Sequence, residues 1–464
     1  MRSIALALMA VGVVAAQAVD RTKPPATPPL RDFKLPPTQD STLANGLRIV
    51  LVQDSRYPMV ELRMGFQAGR VFDPPELPGL SEAVAALLDE GTSSRSAKKL
   101  AEEGGAIGGE IGVSSSSDFI TLTAYAPDEN FAKLLDLVAD MVLNANFPDD
   151  EVRLRKQNRL QELADERSQP EQLGVEKLRH VLFGGHPYSK TLPTAASIEK
   201  MTRDDMVRFR DRHLRPNNSV LVMVGPFVDT KVWVRMVEVK FGNWQRGADV
   251  RAAAVSASAA KRSITLVDRP GSVQAAVQVG RLGVPRSHAD YFPLMVASTI
   301  LGGGTSSRLF NDIREKQGFA YHVSSHSQPF KQAGMMEGVM QVRNEVVEPA
   351  VASLLGHFSR MGTERVAQEE LSDVKNYLSG KFVMSLARPS GVADQLLASR
   401  MNGLGNAYLE TYVNQIRRVE PDQIQGVSKR YMDPQGLAVV VVGDAKAILK
   451  PLEKAGPVKV EKAN

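Results

Sequence analysis

The chain contains itself twice. Gly-Thr-Ser-Ser-Arg stands at residues 91–95 and again at 304–308. Near the end of each half, a helix-like stretch passes through a Pro-containing turn into a short apolar strand that ends in Gly. These stretches read MTRDDMVRFRDRHLRPNNSVLVMVG at 201–225 and VEPDQIQGVSKRYMDPQGLAVVVVG at 419–443. One shared pentapeptide arises easily by chance, but a second match in the same order at a similar offset marks a duplicated unit. Whatever topology the first half adopts, the second must therefore adopt as well. The length of 464 residues agrees, because it exceeds what one hydrophobic core usually serves.

Within each half, strand and helix patterns alternate. Leu43-Ala44-Asn45-Gly46-Leu47 followed by RIVLVQD predicts a hairpin, with Asn-Gly supplying the positive φ angles of a tight turn. Glu61 to Ala68 reads as strand, Gly79 to Asp89 as helix, Phe119 to Tyr125 as strand and Phe131 to Asn146 as helix. The first residues, MRSIALALMAVGVVAAQA, set Arg2 before an apolar run from Ile4 to Ala16 and end in the small-x-small pattern Ala16-Gln17-Ala18. That is the form of a secretory signal peptide, and the run falls short of the ~20 apolar residues that span a bilayer. The expected organisation is a signal peptide at 1–18, a Pro-rich arm at 19–37, a first domain at 38–246, an Ala/Ser-rich linker at 247–260 and a second, homologous domain at 261–464. The mature chain is then expected to be periplasmic or secreted.

Composition narrows the chemistry. With 43% hydrophobic and 23% charged residues the chain is an ordinary globular protein, and a net charge of +5 with Lys and Arg interspersed among Asp and Glu implies no nucleic-acid partner. There is no cysteine, so disulfides and thiolate metal sites are excluded and any metal would need His, Asp or Glu. The first of the seven histidines is His180. His322 and His326 have i, i+4 spacing, but in HVSSH, which reads as strand, that spacing does not converge on a metal. The run Gly302-Gly303-Gly304 lacks the Gly-Lys-Ser/Thr ending of a phosphate loop.

Residues 78–92, Pro-Gly-Leu-Ser-Glu-Ala-Val-Ala-Ala-Leu-Leu-Asp-Glu-Gly-Thr, resemble the metal-site helix of the pitrilysin-type zinc metallopeptidases, the inverzincins. Active members carry H-x-x-E-H there, two His one helical turn apart to bind zinc and a Glu to act on its water. Here those positions hold Glu82, Ala85 and Ala86. On a helical wheel Leu80, Val84, Leu87 and Leu88 form one apolar stripe, with positions 82 and 86 on the opposite side. The family's third ligand is a Glu about 76 residues beyond the second His, where this chain has Glu162. Glu162 also reads as an ordinary exposed helical carboxylate. Paired with Glu82 it would suit a hard cation better than zinc.

Further landmarks extend the resemblance over roughly residues 40–445: His186-Pro187-Tyr188, read as a structural turn, then Arg215-Pro216-Asn217-Asn218. LGGGTSSRLF followed by IREKQGFAYHVSS resembles the family's second-half motif, in which an Arg and a Tyr reach the zinc-bearing half. By resemblance Arg308 and Tyr321 would contact substrate backbone and stabilise the tetrahedral oxyanion, since a fixed guanidinium and a phenol O–H donate to developing negative charge. Thr305 or Ser306 would cap the helix that carries Arg308, leaving a cation in the first turn against the macrodipole. The alternatives are a solvated helix Arg and a half-buried strand Tyr.

The resemblance implies an α+β fold of two homologous domains, each a mainly antiparallel sheet with helices packed on one side. It also implies a non-catalytic subunit type, as in mitochondrial processing peptidase. There, one chain of a heterodimer supplies zinc and the other supplies Arg and Tyr around a chamber for unfolded peptides. On that reading this chain binds no cofactor, and zinc belongs to a homologous catalytic partner carrying H-x-x-E-H. The substrate is a peptide or unfolded polypeptide. The competing expectation is a catalytically inert peptide-binding or structural scaffold of the same fold.

Overall fold

The computed structural model describes residues 34–256 and 261–463. The expected signal peptide, most of the Pro-rich arm and the end of the linker lie outside the described residues. Two six-stranded sheets organise what is described. The first is built from β1 (Thr38–Thr42), β2 (Arg48–Gln53), β3 (Met59–Phe66), β4 (Glu110–Ser115), β5 (Ile120–Pro127) and β6 (Ser219–Gly225), in the order β1-β2-β6-β3-β5-β4. The second contains β7 (Ser263–Asp268), β8 (Gln274–Gly283), β9 (Ala320–Pro329), β10 (Gly334–Arg343), β11 (Ala438–Gly443) and β12 (Val458–Lys462), in the order β12-β7-β11-β8-β10-β9.

Apart from the edges, the two orders are the same. In each sheet the late apolar strand inserts parallel to the first long strand and antiparallel to the next, β6 between β2 and β3 and β11 between β7 and β8. The edges differ: β1 comes from the N-terminal side and pairs antiparallel with β2, while β12 comes from the C-terminal end and pairs parallel with β7. The duplication expected from the sequence is thus realised in topology, as an α+β fold of two like units.

The strands β6, SVLVMVG, and β11, AVVVVG, are buried at every position. A strand that is apolar on both sides needs cover on both sides, and the two halves supply it to each other. Leu221 and Met223 pack on helices of the first half, while Val220, Val222 and Val224 meet Val392, Leu396 and Leu397 of the helix Pro389–Met401. Reciprocally, Val440 and Val442 meet Leu178 and Leu182 of the helix Pro170–Phe183, a first-half element laid across the second sheet. That helix approaches so closely that a Cβ on Gly174 would stand 2.5 Å from the Gln278 side chain. Leu178 is fully buried, and truncation to Ala would cost about 2–5 kcal/mol. The helices predicted for one side of each sheet are there; the exchange across the other side has no local signal in either half.

Two local expectations change in detail. The hairpin turn forms with Gly46 N–H donating to Leu43 O at 2.8 Å, but only Gly46 takes a positive φ, +95°, and Asn45 instead donates its amide to Phe241 O at 2.7 Å. The helix expected over 79–89 is shorter, Leu80–Ala86. Beyond it Gly91, at φ +140°, turns the chain so that Thr92 bridges to Ala145.

Candidate functional site

The motif helix Leu80–Ala86 is fixed from its start. Gly79 precedes it in the left-handed region, and Asp73 caps it, Oδ2 accepting from Gly79 N–H at 2.7 Å and Oδ1 from Ser81 N–H at 2.8 Å. Burial pushes the Asp73 carboxyl up to about 6, even though both N–H donors favour the anion. Leu80, Val84, Leu87 and Leu88 are buried in the first core, whereas Glu82 and Ala86 are half-buried on the other side, as the helical wheel requires. Ala85, at the position of the family's general base, is itself buried.

Facing this helix runs the long helix Asp149–Ser168, on which Arg155, Arg159, Glu162 and Glu166 recur at helical spacing along one stripe. The stripe closes on Glu82. Arg155 Nη2 lies 3.2 Å from Glu82 Oε1, and its Nη1 donates to Glu162 Oε1 at 3.0 Å. Arg159 Nε lies 2.8 Å from the same Glu82 oxygen; its Nη1 donates to Glu166 Oε2 at 2.9 Å and stands 3.8 Å from Glu162 Oε2. The structure brings Glu82 and Glu162 to one place, with two guanidiniums between them.

This donor set does not fit zinc. Neither imidazole is present, Ala85 and Ala86 carry no donor, and the remaining carboxylates are engaged by arginines. A divalent ion within ~4 Å of a guanidinium would be repelled by roughly 8 kcal/mol at an effective dielectric near 20. Among the described residues no group of three or more His, Asp or Glu could hold a metal ion. His322 and His326 lie on β9, as read from the sequence, and are separately engaged, His322 with Ser324 and His326 with Glu337 at 3.2 Å. His186-Pro187-Tyr188 is a structural turn, its buried Tyr188 hydroxyl donating to Asp118.

In the second half the helical segment starts at Arg308, directly after Ser307, and widens into a π-helix over Phe310–Lys316. Arg308 is not a solvated cation. Its Nε and Nη2 donate to the two oxygens of Glu370 at 2.8 and 2.6 Å, a side-on chelate that leaves Nη1 directed elsewhere. That hydrogen-bonded carboxylate raises its pKa further. Tyr321, on the edge strand β9, is 85% exposed rather than half-buried, and its ring lies 5.1 Å from the Arg314 guanidinium carbon. Asp312, on the π-helix, accepts from His357 at 2.6 Å, an anchor between that turn and the helix Val347–Thr363.

Glu370 escaped the sequence reading because it lies 62 residues from its partner. Arg155 and Arg159 were detectable: a stripe of two cations and two carboxylates opposite the motif helix is visible in RLRKQNRLQELADE.

Known proteins agree with this architecture. A family model described as Insulinase (Peptidase family M16) matches residues 48–195, and one described as Peptidase M16 inactive domain matches residues 200–378. The two matches together span well over half of the chain, and the chain belongs to the peptidase M16 family. A zinc protease of Bacillus subtilis, itself uncharacterised, is 24% identical over 86% of this chain and 97% of its own length. An uncharacterised zinc protease of Mycobacterium leprae is 28% identical over 86% of this chain and 91% of its own. The crystal structure of a peptidase M16 inactive domain from Pseudomonas fluorescens superposes with a TM-score of 0.83 at 25% identity, covering 89% of this chain and 99% of that one. A protease structure from Helicobacter pylori shares the fold at a TM-score of 0.80.

Proposed function

We propose that this chain is the non-catalytic subunit of a zinc-dependent peptidase heterodimer, exported to the periplasm or secreted. Its role is to complete the site of a homologous chain that carries H-x-x-E-H. The observation that carries the reading is an asymmetry between the halves. The first half has its metal position filled by arginines, whereas the second offers an anchored guanidinium with Nη1 to spare and a Tyr on an exposed sheet edge. The partner supplies the metal and its water. Arg308 and Tyr321 donate hydrogen bonds to the substrate carbonyl oxygen as negative charge develops on it, and Glu370 fixes the guanidinium so that little entropy is lost on substrate binding.

The test is reconstitution of the mature chain with an H-x-x-E-H chain of similar length from the same genome. Peptide hydrolysis should need both chains and be abolished by chelation. Arg308→Ala and Tyr321→Phe should lower kcat with assembly intact. A mature chain that alone retains one zinc and cleaves peptides would overturn the proposal. The scaffold reading draws on the Arg308–Glu370 pair, which also ties two helices together without any substrate; unchanged turnover in both variants would favour it.

A further inference from the structure

We infer that Arg155 and Arg159 form a built-in replacement for the metal: two guanidiniums serve as the cation that ties the motif helix to the long helix, and they bar a divalent ion even from a chain whose lost ligands are restored. The connectivity carries this. Each arginine touches Glu82 on the helix Leu80–Ala86 and at least one carboxylate on Asp149–Ser168, so both cross the same gap. A stripe built for helix stability alone would place each Glu before its Arg at i, i+4. Here the cations come first and their closest in-helix partners are seven residues on, so the stripe is organised around Glu82 rather than around its own helix.

Burial adds a second constraint. The Arg159 side chain is 7% exposed, and a guanidinium withdrawn from water needs charged partners. Three carboxylates, Glu82, Glu162 and Glu166, meet two guanidiniums. Restoring the motif with Glu82→His, Ala85→Glu and Ala86→His keeps three carboxylates, so an added divalent ion would set four positive charges against three negative ones. The ligands alone therefore do not recreate a metal site; the arginines must also leave. Zinc ligation needs donors free of competing cations and near-tetrahedral access.

The experiment compares zinc content and affinity of the full mature chain in two forms, the three-site motif restoration and the same variant with Arg155→Ala and Arg159→Ala. The three-site chain should stay essentially metal-free after dialysis, whereas the five-site chain should hold about one zinc, with affinity at least ~100-fold higher. Equal, stoichiometric zinc in both forms would overturn the inference, and so would a folded five-site chain that remains empty. Should the five-site chain not fold, a double-mutant cycle with Glu82→Gln and Arg159→Gln decides. Each single change should lower the melting temperature by about 4 °C and the double by no more than the worse single, whereas additive losses would show that the pair is not a unit.

Discussion

The same pentapeptide has two fates. In the first half Thr92 and Ser94 hydroxyls and Arg95 Nη1 converge on Asp140 Oδ2 at 2.8, 2.9 and 2.7 Å, and Arg95 also holds Asp136 at 2.7 Å and Glu103 at 2.9 Å. Burial alone would raise the Asp140 carboxyl, but Arg95, Asn144 and the two hydroxyls together hold it below the ordinary carboxylate range. In the second half the copy ends in Arg308, which has the single carboxylate of Glu370, and Ser307 Oγ is buried without a hydrogen-bond partner. The difference lies in the helix opposite. Asp136 and Asp140 sit on Phe131–Asn144, which follows β5; counted from the helix starts, the helix after β10, Val347–Thr363, has Ala352 and Gly356 there. Losing two carboxylates from one helix turns a saturated structural arginine into one with donor capacity to spare.

The largest effect that would break this comparison is on stability. Arg95→Ala leaves Asp140, 7% exposed, without its guanidinium and should cost about 3–5 kcal/mol in urea unfolding. Arg308→Ala should cost about 1 kcal/mol, because Glu370 reaches water. The Asp140 contribution is present above the unfolded carboxylate pKa and is lost as pH falls through its depressed folded value, so Arg95→Ala should also flatten the acid limb of the stability curve. Equal losses at the two arginines would mean that both are structural. In catalysis the order should invert: Arg308→Ala should lower kcat of the reconstituted complex by roughly 10²-fold, the scale of removing one oxyanion donor.

Much of this was open to a reader of the sequence. The repeat fixed the number of units, and the apolar runs 219–225 and 438–443 marked the central strands, because burial on both faces leaves a continuous run. The wheel of Leu80, Val84, Leu87 and Leu88 oriented the motif helix correctly. What stayed hidden depends on long-range pairing: the exchange of Pro170–Phe183 and Pro389–Met401 across the sheets, the Glu370 clamp on Arg308, and the arginines between Glu82 and Glu162. The motif helix stops short because Leu87 already leaves helical geometry, at φ −112° and ψ 8°, before Gly91 turns the chain to the bridge at Thr92.

Buried histidines sharpen the comparison through pH. In the first half His213 is enclosed by Phe72 and Phe209, and burial, helped by Arg212, depresses its pKa to about 4. In the second, burial also lowers His357, but Asp312 opposes the shift by accepting its hydrogen bond. Between pH 6.5 and 4 unfolded chains bind the His213 proton and folded ones do not, so stability falls as pH drops through that window. From pH 6.5 to 5 this should cost about 2 kcal/mol. His213→Phe should remove that part of the slope in unfolding measured across the window; an unchanged slope would assign it elsewhere.

The smallest expected effect asks whether the missing carboxylates are what leaves Arg308 available. Gly356 matches Asp140 in helix position, and a Cβ built on it meets nothing within 4 Å, so the first side-chain atom of Gly356→Asp has room. The new carboxylate should compete for the Nη1 that the Glu370 chelate leaves over, as Asp140 takes Nη1 of Arg95. Turnover of the reconstituted complex should then fall about 10-fold with KM and assembly little changed, because the lost interaction is one made mainly in the transition state. Stability should rise by less than about 1 kcal/mol, as expected for a partly exposed pair. If turnover stays constant while Arg308→Ala remains deleterious, the second helix is not what distinguishes the halves, and the orientation imposed by Glu370 alone accounts for the availability of Arg308.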